Sequence, residues 1–454
     1  MNESSPAVTV EFFGGLRVIG SSKIMVSTDS ARVLLDMGLD IPGEQDLFRD
    51  PVQERPEYRL RDRLAVGFAA ELPGIYDPDQ LPEDSPLAVP DPRPSAIFLS
   101  HAHLDHDGAL SFVRAGIPVY AHPETVRLEQ SLALAGLGEA VELRPMDGVV
   151  EVGDLRVEAI PVDHDIPGAC GFLVHTPEGT LAYTGDLNFH RDGALRSEEF
   201  IRRATGVGML VTETTMLSFD IEPGHQPRSE DAILELLAQT LAEAPGLALL
   251  SMYERDAERA QRFIDLAASR GRTLVWPGQQ AAMLAHFGVH GAVTWDASRP
   301  QRPVHQAAIE RLRGATGTVL PTVSLREVRE RPSRYLVQPD VRDVPALLDL
   351  PRRSGEFLPF LHSQGEPLGP FMANWATWLE WLERLGISFV AAGSSGHATG
   401  EALHKMVMEI HPGVVVPIHG FRPEALAVDV PTLLPTYGAR YRLDGTEIPS
   451  WVRG

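Results

Sequence analysis

The chain has 454 residues, of which 43% are hydrophobic and 22% are charged, and its mean hydropathy is -0.08. This composition is typical of a folded globular protein of two or three domains and excludes disordered and fibrous classes. The formal net charge of -22 disfavours nonspecific attraction to nucleic acid or to anionic membranes. A polyanionic substrate would therefore need a locally basic groove.

Targeting signals and cysteine usage bear on the compartment. No apolar run reaches the about 18 residues that a membrane span requires, and the first residues, MNESSPAVTV, lack the basic and apolar regions of a signal peptide. The single cysteine, Cys170, is consistent with a reducing compartment and excludes a cage of several thiolate ligands. We expect a cytoplasmic protein with no membrane partner.

The N-terminal part of the chain predicts strands joined by tight turns. The β-rich runs are Thr9 to Phe13, Ile24 to Ser27 and Arg32 to Asp36. A proline- and charge-rich stretch follows at about 42–93, too irregular for a sheet core and too long for a simple connection. We interpret this stretch as a surface insertion, with a lid as its candidate role.

From Ser95 onward, apolar β runs alternate with amphipathic segments, which is typical of an α/β fold. Strands are predicted at Ala96 to Leu99, Pro118 to Ala121, Leu155 to Pro161, Gly171 to His175 and Leu181 to Tyr183, and helices from about Gly108 and from Pro123. In a second block, LALLSM, a helix over Ala257 to Ala268 and TLVW predict a β-α-β unit of a parallel sheet. Short β runs return at Ser388 to Ala392, Val414 to Ile418 and Ala439 to Leu443.

The segment SHAHLDH concentrates metal-binding residue types directly after a predicted buried strand. His101, His103, Asp105 and His106 follow the strand Ala96 to Leu99 and precede a helix. Three imidazoles and a carboxylate on such a turn can direct their nitrogens and oxygens to one region, which suits Zn²⁺ or Mn²⁺. A lone histidine is more often a core or surface residue, but this density favours a metal site.

Three later residues supply further candidate ligands, each at a predicted strand end. His164 lies in VDHDIPG, Asp186 lies in TGDLNFH and His419 lies in PIHG. A pair of metal ions needs a bridging carboxylate and more nitrogen ligands than one segment provides. The seven candidates together exceed what one tetrahedral ion can use, so we expect two ions.

These residues resemble the metallo-β-lactamase fold, whose HxHxDH signature is matched in full and whose later His, Asp and His positions are matched in order. SSGHATGEAL around His397 and VVPIHGFRPEAL around His419 are similar to the paired histidine motifs of the β-CASP subfamily, which includes ribonuclease J. SQGEP at Ser363 to Pro367, together with Arg259 and Arg272, also resembles this subfamily. Ribonuclease J has a glutamate where this chain has Phe421.

The resemblance implies a ligand set and catalytic roles. One metal would be held by His101, His103 and His164, the other by Asp105, His106 and His419, with Asp186 bridging the two. His397, near Glu213 at the end of a strand, would donate a proton to the leaving oxygen. Asp105, Asp186, His397 and Glu213 are the expected catalytic residues. Asp36 matches a position that could orient a ligand, and an exposed aspartate at a strand end is the equal alternative.

Other candidates have a structural interpretation that we prefer. Arg255, Arg259 and Arg262 could line a phosphate groove, but their mixture with Glu254 and Glu258 favours a solvated helix face. Cys170 favours a small buried residue over a ligand. The spacing of Trp375, Trp378 and Trp381 favours a helix core over a base-stacking platform.

The expected fold class is α/β, an αββα metallo-β-lactamase sandwich with an inserted αβ β-CASP-type cap domain. We assign 1–212 and 391–454 to the sandwich and 213–390 to the inserted domain. The expected protein is a dinuclear hydrolase cleaving phosphodiester bonds in single-stranded RNA, with two Zn²⁺ or alternatively Mn²⁺, and a homodimer is one candidate assembly. A hydrolase of a small phosphoester, thioester or lactone and a non-catalytic scaffold of an RNA-processing complex are the alternatives. Endonucleolytic and exonucleolytic cleavage both stay open.

Overall fold

The computed structural model describes residues 8–39, 47–48, 52–146, 148–220, 227–297, 301–352, 355–370, 372 and 374–449. The termini of the predicted sandwich parts and residues 42–46 and 49–51 of the predicted insertion lie outside these ranges. None of the helices in the described part has the length and apolar character that a membrane span requires. The α-helices are α1 (Arg59–Ala65), α2 (Leu104–Asp107), α3 (Pro123–Ala135), α4 (Ala194–Ala204), α5 (Glu230–Glu243), α6 (Ala257–Ser269), α7 (Gly278–Phe287), α8 (Pro303–Thr316), α9 (Leu325–Glu330), α10 (Trp375–Arg384) and α11 (Gly400–Ile410).

Two mixed sheets form one half of the molecule. The first has the order β21 (Glu447–Ile448), β20 (Arg440–Tyr441), β1 (Thr9–Phe12), β2 (Ile24–Ser27), β3 (Arg32–Leu35), β4 (Ser95–Leu99), β5 (Val119–Ala121), β6 (Leu143–Pro145). The second has the order β19 (Val414–Ile418), β11 (Met209–Glu213), β10 (Gly179–Tyr183), β9 (Cys170–Thr176), β8 (Leu155–Pro161), β7 (Val149–Val152). Segments far apart in the sequence therefore complete each sheet.

The alternation of side chains explains why these sheets pack face to face. Phe172 and Val174 of β9 point into a core shared with Phe98 of β4, whereas Leu173 points to the opposite face, into a core that contains helical residues such as Phe200. Successive side chains of a strand face opposite sides, so a strand that is apolar throughout is covered on both faces. This arrangement is the αββα sandwich that the sequence predicts.

A third sheet lies within the stretch assigned to the inserted domain, and all of its pairings are parallel. Its order is β15 (Thr322–Val323), β14 (Val293–Trp295), β13 (Thr273–Trp276), β16 (Tyr335–Val337), β12 (Ala248–Met252), β17 (Pro359–Ser363), β18 (Ser388–Ala391). The predicted β-α-β unit is present as β12, α6 and β13. Strand β16 lies between its two strands, an insertion that the local pattern does not reveal.

The two halves share one apolar cluster. Leu128 and Leu132 of α3 belong to the same buried cluster as Met283 and Leu284 of α7, and the two helices are in contact. Burial of apolar surface between them holds the third sheet and its helices against the sandwich. The boundaries 212/213 and 390/391 stay predictions.

The described residues of the predicted insertion at about 42–93 are mostly exposed or half-buried but include a buried part, and the candidate role as a lid stays a prediction. Leu60 of α1 and Leu72, Ile75 and Tyr76 are buried and pack in one cluster with Leu99 of β4. The segment covers the outer face of the first sheet, which would otherwise expose apolar side chains. Its apolar residues are scattered among prolines and charges, so no helical or strand period indicates this role.

Candidate metal centre

The carboxyl ends of several strands meet at one edge of the sandwich. Strands β10, β11 and β19 are parallel neighbours, and Asp186, Glu213 and His419 lie at or just after their carboxyl ends. His101 follows β4 and His164 follows β8. Because parallel strands end at the same edge of a sheet, side chains distant in the sequence are brought together there.

A first group of candidate ligands has ligand atoms that all lie within 4.8 Å of one another: His101, His103, His164 and Asp186. The Nδ1 atom of His103 lies 3.1 Å from Nε2 of His101 and 3.3 Å from Nε2 of His164. Two basic nitrogens at such a distance need either a shared proton or a cation between them.

Asp105, His106 and His419 form a second group with the same 4.8 Å limit. Nε2 of His106 lies 3.1 Å from Nε2 of His419, which is 3.2 Å from Oδ2 of Asp105. Oδ2 of Asp186 lies 3.3 Å from Nε2 of His106, 3.5 Å from Nε2 of His419 and 3.7 Å from Nε2 of His101. Asp186 thus faces both groups, and the seven residues are hereafter called the ligand cluster.

Asp36 holds one side of the ligand cluster. It accepts hydrogen bonds from Nδ1 of His106 at 2.7 Å, from the backbone N–H of Ser100 at 2.7 Å and from the Tyr183 hydroxyl at 2.6 Å. The hydroxyl of Ser100 donates to Asp36 at 2.8 Å and lies 2.9 Å from Nδ1 of His101. Asp36 is fully buried, so the alternative of an exposed strand-end aspartate is wrong. A partner on the outer nitrogen fixes the tautomer and orientation of a ligating imidazole.

Two more imidazoles are held in the same way. Nδ1 of His164 donates to the carbonyl oxygen of Gly396 at 2.6 Å. Nδ1 of His419 lies 2.8 Å from the hydroxyl of Thr215, which itself donates to the carbonyl oxygen of His419 at 3.2 Å. His419 has a φ of 56°, in the left-handed region that non-glycine residues rarely adopt. Such backbone strain persists where the surrounding structure enforces it, and it occurs often at functional sites.

The charges in the ligand cluster suit cation binding. Burial and the neighbouring imidazoles lower the pKa of His101, and burial lowers that of His103 to about 3, so both rings are neutral at pH 7. Burial raises the pKa of Asp186, but His419 and His106 outweigh it and lower that pKa, so Asp186 is ionised. Its Oδ1 atom is buried without a hydrogen-bond partner. Burial lowers the pKa of His106, but Asp186 and then Asp36 outweigh it and raise that pKa, so His106 would give up a proton to a bound ion. Imidazoles and ionised carboxylates are the donors that Zn²⁺ and Mn²⁺ take, so the residues present fit these ions.

His397 and Glu213 lie beside the ligand cluster. Nδ1 of His397 is 3.4 Å from Oε1 of Glu213 and 3.7 Å from Oδ2 of Asp186. Glu213 is buried and accepts backbone hydrogen bonds from Thr215 at 2.9 Å and Ala398 at 3.2 Å. Burial lowers the pKa of His397, but Glu213 and then Asp186 outweigh it and raise the pKa to about 10. The ring of His397 is therefore protonated at neutral pH.

Known proteins resemble the chain in sequence and in fold. A protein-family model described as a beta-lactamase superfamily domain matches residues 72–244. Ribonuclease J of Pyrococcus abyssi is 24% identical over 296 residues, 62% of this chain and 61% of that protein. Ribonuclease J of Sinorhizobium meliloti is 31% identical over 218 residues, 46% of this chain and 38% of that protein. A crystal structure of a protein of unknown function from Enterococcus faecalis superposes with a TM-score of 0.79 at 26% identity, covering 96% of this chain and 100% of the other.

The chain has the metallo-β-lactamase fold with a ribonuclease J-like β-CASP architecture. The sequence prediction of both is confirmed. The matched region spans between 38% and 61% of the length of the two ribonucleases J. In this metallo-β-lactamase fold the ligand cluster occupies the strand-end edge, and the third sheet adjoins it through Tyr253, whose ring lies 5.2 Å from that of His103.

Two arginine side chains that were predicted to be solvated are buried in the structure. The prediction of a solvated helix face is wrong for Arg255 and Arg259, which are buried. Arg255 donates to the carbonyl oxygen of Ala102, next to the first ligands. Arg259 lies in a group of four buried ionised residues that pair with one another, hereafter the arginine cluster: Arg191, Glu230, Asp256 and Arg259. Its partners come from distant segments, so the charge pattern of α6 alone does not reveal them.

The remaining predictions concern packing. Cys170 is buried and its thiol donates to the carbonyl oxygen of Ser100 at 3.4 Å, as a small core residue does. Trp378 of α10 lies in the core below the third sheet and packs against Trp375, so the helix-core prediction is confirmed for that pair. The predicted helix from about Gly108 is wrong: α2 ends at Asp107, and a short 3-10 turn over Leu110–Phe112 follows.

Proposed function

We propose that the protein is a dinuclear metal-dependent hydrolase that cleaves phosphodiester bonds in single-stranded RNA. The observation that supports the proposal is the ligand cluster: two groups of inward-facing nitrogen and oxygen donors with one carboxylate, Asp186, facing both. Two metal-activating sites sharing a carboxylate are typical of phosphodiester hydrolysis. The choice of RNA rests on the similarity to proteins named ribonuclease J.

The residues would divide the work as follows. His101, His103 and His164 would hold one divalent ion, and Asp105, His106 and His419 the other, with Asp186 shared. A bound pair of such ions activates water at neutral pH and neutralises charge on the phosphoryl group. The partners of the outer imidazole nitrogens keep the inner nitrogens unprotonated and aimed at the ions.

His397 would supply the proton for the leaving oxygen. Its ring is one-fifth exposed, so its position beside Asp186 can be reached from the site, and it is protonated at neutral pH. Glu213, held by two backbone N–H groups, would keep the proton on His397 and fix the ring. A positioned general acid contributes about 10² to 10⁴-fold in rate.

One observation favours a second candidate, a hydrolase of a small phosphoester, thioester or lactone. Arg191 and Arg259 are buried and paired with carboxylates, and Arg255 is buried against the first ligand segment. These three arginines are therefore not available to bind the phosphates of a long polyanion. The net charge of -22 points the same way.

One set of assays separates the candidates. The purified protein is incubated with 5′- and 3′-labelled RNA and DNA, bis-(p-nitrophenyl) phosphate, a thioester and a lactone, each with added Zn²⁺ or Mn²⁺ and with chelator. We expect chelator-sensitive cleavage of RNA, and elemental analysis giving two metal ions per chain. Turnover of the small esters with intact RNA would select the second candidate, and only a trace of transition metal would contradict the dinuclear site.

A further inference from the structure

The five histidines of the ligand cluster are not held alike. The outer nitrogens of four of them, His101, His106, His164 and His419, have a hydrogen-bond partner within 2.9 Å. The fifth, His103, has none. Its Nδ1 atom faces His101 and His164, and its outer Nε2 atom is buried with no hydrogen-bond partner in the described part of the chain.

The outer nitrogen of His103 faces the carboxylate of Asp165. Oδ1 of Asp165 lies 3.7 Å from Nε2 of His103 and 3.3 Å from Nε2 of His164, and among the described residues it has no hydrogen-bond partner. With its proton on Nε2, His103 would be a donor and Asp165 an acceptor, both unsatisfied and within a few tenths of an ångström of hydrogen-bonding range. Leaving both unpaired costs free energy that a small closing movement would recover.

Asp165 is confined to this position by its surroundings. It directly follows His164, and the loop that bears His397 packs against it. A Cβ atom on Gly396 would lie 2.5 Å from Cγ of Asp165, so only glycine lets the loop approach this closely. The carbonyl oxygen of the same Gly396 accepts the hydrogen bond from His164. One loop therefore fixes both His164 and Asp165.

We propose that Asp165 is the positioning residue of His103: its carboxylate accepts the Nε2–H hydrogen bond and keeps the Nδ1 lone pair directed at the metal ion. Asp165 is not one of the four residues whose ligand atoms converge in the first group. Asp36 has the same role at His106, through a direct contact of 2.7 Å. The proposal rests on the proposed metal site and adds to it a residue outside the seven ligands.

The test measures metal affinity rather than turnover. Zn²⁺ is titrated into metal-free protein in competition with a chromophoric chelator, for the wild type, Asp165→Asn and Asp165→Ala. Loss of an outer partner lowers metal affinity by about 10 to 100-fold, so Asp165→Ala should weaken one of two Zn²⁺ binding steps by that factor. The amide oxygen of asparagine accepts the same hydrogen bond without the charge, so Asp165→Asn should lie between the other two.

Asp163→Asn is the matched control. Asp163 is also buried, also has an unpaired carboxylate oxygen, and lies two residues away, but it packs against Gly193. Its two Zn²⁺ affinities should equal those of the wild type. Circular dichroism of the metal-free proteins checks folding, and the Asn variant serves if the Ala variant does not fold.

The outcomes separate this inference from the metal site itself. Wild-type protein that binds no Zn²⁺ refutes the proposed site. Wild-type protein that binds two ions, with unchanged affinities in Asp165→Ala, overturns only the role of Asp165. An Asn variant as weak as the Ala variant overturns the hydrogen bond as the cause. In ¹⁵N-histidine spectra of the Zn²⁺-loaded protein, we expect His103 to carry its proton on Nε2, and a proton on Nδ1 would refute the proposal.

Discussion

This molecule has two buried groups of charged side chains. They differ in whether their charged groups are paired with one another. In the ligand cluster, lone pairs of seven side chains point toward one another, and Oδ1 of Asp186 and Nε2 of His103 have no partner. In the arginine cluster, two guanidinium groups and two carboxylates pair with one another at distances down to 2.6 Å. The first could hold an added cation, and the charges of the second balance one another.

Burial alone therefore does not identify a functional site. Buried charges are tolerated when they are paired, and the arginine cluster satisfies that condition with residues of both halves: Arg191 comes from the segment after β10, and Glu230 and Arg259 come from α5 and α6. The ligand cluster does not satisfy it. Convergent nitrogen and oxygen ligand atoms therefore mark a candidate binding site, and a balanced set of opposite charges marks a structural junction.

The largest expected effect comes from removing the carboxylate that faces both ligand groups. Asp186→Ala should reduce RNA cleavage to the level of chelator-treated wild type, because both ions lose their shared counter-charge. Metal content should fall below that of the wild type while circular dichroism stays unchanged. Asp192→Ala, an exposed aspartate of the same segment paired with Arg262, should keep full activity. Near-normal turnover of a well-folded Asp186→Ala protein would contradict the bridging role.

A second effect separates proton donation from metal binding. His397→Ala should lower kcat by about 10² to 10⁴-fold, which is roughly 2.7 to 5.4 kcal/mol at about 1.36 kcal/mol per decade, with metal content unchanged. His419→Ala should lower both rate and metal content, because His419 belongs to the ligand cluster. Rate and elemental analysis are measured on both variants. An active His397→Ala protein, or one that loses metal as His419→Ala does, would refute this division of roles.

A substitution in the arginine cluster should lower the free energy of unfolding and leave metal binding unchanged. Glu230 accepts from Arg259 at 2.6 and 3.0 Å, and Arg191 lies 2.8 Å away. Glu230→Ala leaves two buried guanidinium groups short of a carboxylate and should lower the free energy of unfolding by about 3 to 5 kcal/mol. The folded fraction should bind metal as the wild type does. Urea unfolding checks this, and Glu243→Ala at the exposed end of α5 should change stability by less than about 0.5 kcal/mol. Equal stability of the two variants would show that the cluster is not structural.

Sequence reasoning identified the ligand cluster because its signals are local. His101 to His106 lie within one turn after an apolar strand, and Asp186 and His419 each follow a recognisable strand. The rule that parallel strands end at one edge then predicts their convergence. The residues that hold the imidazoles have no such signal. Thr215 and Asp165 are ordinary polar residues in the sequence, and only the resemblance to the metallo-β-lactamase fold pointed to Asp36; contacts formed by the fold distinguish all three.

The prediction that Arg255 and Arg259 are solvated was wrong because it rested on the local charge pattern alone. On α6, arginine and glutamate three to four residues apart are typical of solvated helix pairs, and the local pattern predicts exposure. Arg259 is buried because α6 packs against α5 and because Arg191 and Glu230 supply charge partners from other segments. Local composition likewise does not predict the burial of Leu72 and Tyr76 in the described part of 42–93, because these residues pack against the first sheet.

The smallest expected effect tests a partly buried pair that lies outside both clusters. Asp340 accepts from Nε2 of His305 at 3.0 Å and from the backbone N–H of Arg342 at 2.9 Å. Burial raises the pKa of Asp340, but these hydrogen bonds outweigh it and lower the pKa to about 2, from an ordinary value of 3.8. A lowered carboxyl pKa stabilises the fold above pH 4, and that contribution is lost as the pH falls toward 2.

Asp340→Asn removes this titration. At pH 5 the wild type should be more stable than the variant by about 1 kcal/mol, because solvent reduces the effect of the shift at this partly exposed site. The difference should shrink between pH 4 and pH 2, as the wild-type carboxylate takes up its proton and the variant does not. Urea unfolding of both proteins at each pH measures it. A difference that stays constant over this range would mean that Asp340 stabilises the fold through packing alone and not through its charge.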